Sequence, residues 1–102
     1  MDIASDGATL VLSGAFDVRS TGEVRKAIYD HLAAGDDDVV VDLTDVHSVD
    51  LTALKVLAVA TRQASRLGRH LILRGCGPAV RRLLHLSHLI RVVRVEREVA
   101  PV

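Results

Sequence analysis

The 102 residues include no Trp, one Tyr, one Phe and one Cys. A lone Cys76 excludes a disulfide framework within the chain and a multi-cysteine zinc site, and it suits a reducing compartment. With Phe16 and Tyr29 as the only aromatics, the core has to be aliphatic. Recognition of RNA or single-stranded DNA by base stacking is disfavoured for the same reason. The opening MDIASDGATL has no basic region ahead of an apolar stretch, so no signal peptide is read there. No apolar run reaches the ~20 residues of a membrane span. The expectation is a cytoplasmic protein without membrane insertion.

Hydrophobic residues make up 49% of the chain and charged residues 25%, which is a globular composition. The length suits one domain spanning residues 1–102. Net charge is zero but unevenly spread. Residues 1–50 carry eleven acidic and three basic side chains, and residues 51–102 carry ten basic and two acidic ones. Such asymmetry is one mark of a nucleic-acid surface. Here the basic residues are dispersed arginines without aromatic partners. Arg81, Arg82, Arg91, Arg94 and Arg97 are therefore read as solvated surface, and the two halves as neutralising each other within one fold.

Alternation and periodicity give the elements. Thr9–Ser13 reads as a strand ended by Gly14, preceded by a short edge strand around Ile3 with Asp6-Gly7 as the hairpin turn. Ser20 and Thr21 open a helix, with Ser20 and Glu23 as a capping box. Val24, Ala27, Ile28 and Leu32 form its buried face, and Gly35 ends it. Val39–Leu43 reads as a strand buried on both faces. Asp50 is placed as the N-cap of a helix over Leu51–Leu67, with Leu54, Leu57, Ala58, Thr61 and Ala64 inward and Gly68 as the stop. His70–Arg74 is the next strand. Pro78 starts a third helix with Val80, Leu83 and Leu84 inward. Val92–Val95 is a last strand or the start of a final helix. The implied fold is α/β: a mixed sheet of four to five strands with three to four helices mainly on one face.

Little in the chain suggests catalysis. Gly75-Cys76-Gly77 lies between a strand and a helix, but it lacks the further glycines and the lysine of a phosphate loop. No histidine is assigned to Cys76 as a base, so the thiol reads as a small buried group. His85 and His88 have no Asp, Glu or Cys to complete a metal site. No cofactor, metal or enzymatic activity is expected. The informative segment is Val49–Leu54. There a hydroxyl, Thr52, sits in the first turn of a helix, beside free N–H groups and the positive end of the helix dipole. Phosphate at that point would add about 1.5 to 2 negative charges without disturbing the fold.

Four segments in order give a resemblance that spans nearly the whole chain. They are Leu12–Val18 (LSGAFDV), Val39–Val46 (VVVDLTDV), Val49–Leu54 (VDLTAL), and Arg69–Leu73 running on to Pro78–Leu84 (PAVRRLL). Together they resemble the STAS domains of bacterial anti-sigma factor antagonists. The resemblance implies a protein that binds an anti-sigma factor, a serine/threonine kinase of the histidine-kinase-like ATPase fold. Binding frees a sigma factor, and phosphorylation of the antagonist ends the complex. By position the phospho-acceptor is Thr52, Asp50 is the carboxylate preceding it, and Asp17 is the loop carboxylate near it. Leu51, Ala53 and Lys55 complete the implied partner surface. Leu51 and Thr52 stand where the family usually has serines, and Ala53 where it has glycine. Two other roles fit the resemblance: a STAS subunit docked on the ATPase of a lipid-transport ABC complex, and a scaffold in a stress-signalling assembly. Oligomeric state is left open.

Overall fold

A computed structural model describes residues 1–96. Five strands form one sheet in chain order: β1 (Asp2–Asp6), β2 (Thr9–Phe16), β3 (Val39–Val49), β4 (Leu71–Arg74) and β5 (Arg94–Val95). β1 runs antiparallel to β2, and the remaining pairs are parallel. The crossovers are α1 (Thr21–Ala34), α2 (Leu51–Arg66) and α3 (Pro78–Leu86), with a single 3₁₀ turn at Leu89–Arg91 before β5. Each crossover steps one strand in the same direction. Right-handed connections of that kind put all three helices on one face.

Burial follows from this one-sided layering. Leu10, Leu12, Phe16, Val39, Val41, Leu43, Leu71 and Leu73 alternate toward the helices and are at most 2% exposed. Val11, Val40 and Ile72, on the opposite face, are only half-buried. The Val39–Leu43 run is therefore covered on one side and not on both. An unbroken apolar sequence does not report where the crossover helices go.

Two strands outrun their expected ends. β2 continues through Gly14, whose φ is +102°, to the fully buried Phe16. β3 continues past Leu43 to Val49. Register shifts after Val11 and after Gly14 let the two strands stay paired over this length. Beyond Asp42, β3 has β2 as its only strand neighbour among the described residues. Gly75 passes against Thr44, and among the described residues no further strand covers β3 from Asp45 onward, so the exposed residues Asp45, His47 and Ser48 fit a strand there. β1 is five residues long, and Asp6 pairs with Thr9, so Gly7-Ala8 makes the two-residue turn. Of Val92–Val95, only Arg94–Val95 forms a strand, and no helix starts there.

The helix ends are mixed. Asp50 caps α2 as expected, and Gly68 lies just past its C-cap at a φ of +74°. The Ser20–Glu23 capping box does not form. Ser20 is buried, its Oγ donating to the Asp17 carbonyl and accepting from the Asp17 N–H. A tight turn has used the hydroxyl that a capping box would need. Val24, Ile28, Leu32, Leu54, Leu57, Ala58, Ala64, Val80 and Leu84 fill the space between helices and sheet. The buried Thr61 hydroxyl is satisfied by donating to the Leu57 carbonyl at 2.7 Å.

Candidate functional site

The C-terminal ends of β2 and β3 meet where α1 and α2 begin. Asp50 binds this corner together. Its Oδ1 accepts the Ala53 N–H at 2.8 Å, which caps α2. Its Oδ2 accepts the Val18 N–H at 3.1 Å, and its own N–H donates to the Phe16 carbonyl at 3.3 Å. One carboxylate thus joins the start of α2 to the loop after β2. Asp50→Ala removes both acceptors and should lower the free energy of unfolding by about 1 to 2 kcal/mol. Urea unfolding checks this, and an unchanged midpoint would refute the double role.

Asp17 lies in the same loop, but its carboxylate faces Arg19. It accepts the Arg19 N–H at 2.9 Å and pairs with the guanidinium at 2.8 Å. The side-chain and backbone hydrogen bonds from Arg19 hold its carboxyl below the usual range. Asp17 is thereby kept ionised, and the turn that presents Val18 is pinned.

Thr52 is exposed on the first turn of α2, and Ala53 beneath it is fully buried. Among the described residues, Leu51 and Thr52 donate no backbone hydrogen bond, so the helix start keeps two free N–H groups. Val18 is 63% exposed and Leu51 41%. Large apolar side chains this open, next to free donors and an exposed hydroxyl, make a surface suited to a protein partner. Lys55 is exposed one turn further along α2. Asp50, Leu51, Thr52 and Lys55 therefore share one corner. Ala53 contributes its N–H from below, and Asp17 stands in the adjoining loop.

Residues 1–94 match the family described as "Mlab, STAS domain". The chain belongs to the STAS domain family. Solved structures with this fold include an anti-sigma factor antagonist from Mycobacterium paratuberculosis, 23% identical. It has a TM-score of 0.75, with 95% of this chain and 84% of that one aligned. A Thermotoga maritima protein described as an anti-sigma factor antagonist is 22% identical at a TM-score of 0.78, over 96% and 86% of the two chains. The unphosphorylated antagonist SpoIIAA is 18% identical at 0.73, over 95% and 88%. No curated protein matches by sequence.

The other chemical candidates in this STAS domain stay apart from the corner. Cys76 is buried, and burial pushes its thiol up, which lowers its nucleophilic fraction at neutral pH. His85 and His88 are exposed on and just after α3. Among the described residues no three His, Cys, Asp or Glu side chains group as metal ligands. Arg81 donates to the Cys76 carbonyl at 2.9 Å, while Arg82, Arg91 and Arg94 are exposed. Arg97 lies outside the described residues. Among those residues no helix is long and apolar enough to cross a membrane. The sequence missed Arg19, which holds Asp17, and Val18, which lies beside Leu51. A short Asp-x-Arg step and a valine in a loop carry no signal without the tertiary contact through Asp50.

Proposed function

We propose that this STAS domain is an anti-sigma factor antagonist whose unphosphorylated form binds an anti-sigma factor kinase through the Asp17–Asp50–Thr52 corner. The observation that carries the reading is Thr52 itself. It is an exposed hydroxyl at a capped helix start, set beside the apolar side chains of Val18 and Leu51. A kinase of the histidine-kinase-like ATPase fold would engage those side chains and reach the hydroxyl. Phosphorylation would transfer the γ-phosphoryl group of ATP to Thr52 Oγ1, releasing ADP and the hydroxyl proton. The new charge would take the free N–H groups at the helix start and repel carboxylates on the partner. The fold would survive because Thr52 is exposed and outside the core, and the complex would not.

The test is a pull-down from native cytosol with wild type, Thr52→Ala and Thr52→Glu, read by mass spectrometry. The alanine variant should retain an ATPase-fold anti-sigma factor. The glutamate variant should recover at least about tenfold less, the loss expected when a charge is left unpaired in an interface. Equal recovery by both variants would show that Thr52 is no switch. A second reading is favoured by the 41% exposure of Leu51, an apolar contact that no phosphoryl chemistry requires. In it the same corner docks permanently on the ATPase of a lipid-transport ABC complex. Recovery of a transporter ATPase and permease with all three baits would select it.

A further inference from the structure

A groove between α1 and α2 runs along the outer surface of the helical layer, away from the sheet. Arg25, Tyr29 and Ala33 line it from α1, and Val56, Val59, Gln63 and Leu67 from α2 and its C-cap. Val59 is 56% exposed and Leu67 53%, although neither belongs to the Val18–Leu51 pair at the helix start. Tyr29 is half-buried at the middle, where the two ends of the groove join. The two helices thus present a continuous apolar trough that the fold itself does not fill.

Charge along the trough has one sign. From Leu51 to Leu67, α2 and its C-cap carry no carboxylate at all. Lys55, Arg62 and Arg66 recur on one exposed stripe beside Val59, and Arg25 faces them from α1. None of the four forms an ion pair among the described residues, although Lys26 on the same helix pairs with Asp30 at 2.8 Å. Unpaired cations beside an apolar trough are complementary to one kind of segment: a helix with aliphatic residues on one face and carboxylates along its flanks.

We propose that the α1–α2 groove receives an acidic amphipathic helix of a partner protein. Its apolar stripe seats on Tyr29, Val56, Val59 and Leu67, and its carboxylates meet Arg25, Lys55, Arg62 and Arg66. A membrane surface fits less well. The trough is concave, and it lacks the Trp or Phe anchors that a helix lying on lipid commonly presents. The groove opens beside Thr52, so one partner can span both surfaces. The inference nonetheless stands on the groove alone and does not require Thr52 to be modified.

The probe is a synthetic acidic amphipathic helix of about 18 residues, with Leu at i, i+3, i+4 and i+7 spacing and Glu on its flanks. It is titrated into the isotope-labelled 102-residue chain and followed by amide NMR. The expected result is saturable binding with shifts concentrated at Tyr29, Val59, Gln63 and Leu67. Affinity should drop at least tenfold in Val59→Asp and in Lys55→Glu/Arg62→Glu, and should fall with added salt. These positions are exposed, and an unchanged amide spectrum elsewhere would show that the variants are folded. The probe brings no kinase and no nucleotide, which keeps this result separate from the switch at the corner. No binding, or binding unaffected by Val59→Asp, overturns the proposal. Self-association that occludes Val59 overturns it in favour of a second copy. Binding to anionic phosphatidylglycerol vesicles without binding to the peptide overturns it in favour of a membrane.

Discussion

Gly75→Ala is expected to lower the free energy of unfolding by about 2 to 5 kcal/mol, the largest effect expected here from adding one methyl group. Gly75 follows β4 with a φ of +70°, and its backbone passes directly against the irregular stretch of β3. An added Cβ would overlap Thr44 Oγ1 and stand 3.0 Å from both Cα and N of Thr44. Rotating the hydroxyl away relieves only the first contact, and it forfeits the 2.6 Å hydrogen bond to Asp42. The backbone contacts remain, so one of the two strands must shift. The left-handed conformation costs an L-residue roughly 1 to 2 kcal/mol. Overpacking adds about 1 to 3 kcal/mol. Gly22 provides a control of opposite sign. It is exposed in the first turn of α1, and nothing lies within 4 Å of its Cβ direction. Gly22→Ala should therefore stabilise by up to about 1 kcal/mol, because alanine loses less backbone entropy in a helix. Urea midpoints at a common slope would compare the two variants. A Gly75→Ala protein as stable as wild type would mean that β3 and β4 do not approach as described.

The same close approach shows which features were legible in the sequence. Gly75 could be read as a turn, since a glycine between a strand and a proline-led helix is local chemistry. Its closeness to Thr44 could not, because the partner lies thirty-one positions away on a bulged strand. The helices were legible wherever a terminator is unambiguous: Asp50 before an apolar period, Pro78 at a helix start, Gly68 at an end. Ser20 misled because its hydroxyl serves the Asp17 turn, and the pattern Ser-x-x-Glu cannot distinguish the two uses. β3 reads in the sequence as the five residues Val39–Leu43 followed by a loop, because its far half is polar. That half is a strand by pairing with β2, and its polarity reports only its open edge. At the candidate site the Thr52 hydroxyl and the Asp50 cap were visible in Val49–Leu54. The bond from Asp50 to Val18 was not, nor was the α1–α2 groove. Each side of that groove is an ordinary exposed helix face until the two are brought together.

Arg69→Met should cost about 2 to 4 kcal/mol, more than any surface arginine, although the substitution keeps a long apolar stem. Gly35 ends α1 in an extended conformation, with a φ of −154°, and so provides no left-handed cap for the last carbonyls. Arg69 serves those carbonyls from the far end of α2. Its guanidinium donates to the Leu32 carbonyl at 2.7 Å and to the Gly35 carbonyl. Its own N–H donates to the Ala64 carbonyl at 3.0 Å, so the residue closes both helix ends at once. Arg69 is 9% exposed and has no carboxylate partner among the described residues. The cation is instead stabilised by the negative end of the α1 dipole. Methionine would leave the buried Leu32 carbonyl and the part-buried Gly35 carbonyl without their donor, at about 1 to 2 kcal/mol each. It would spare the cost of burying a charge, and its stem would keep most of the packing, which sets the upper limit. Arg69→Lys should fall between the two, since an ammonium on a shorter reach can serve one carbonyl more easily than both. Hydrogen exchange separates this account from a general loss of packing. Amides in the last turn of α1, from Asp30 to Ala34, should lose protection first in Arg69→Met, ahead of those in the β3 core. Uniform loss across α1, α2 and the sheet would mean that Arg69 acts as bulk and not as a cap.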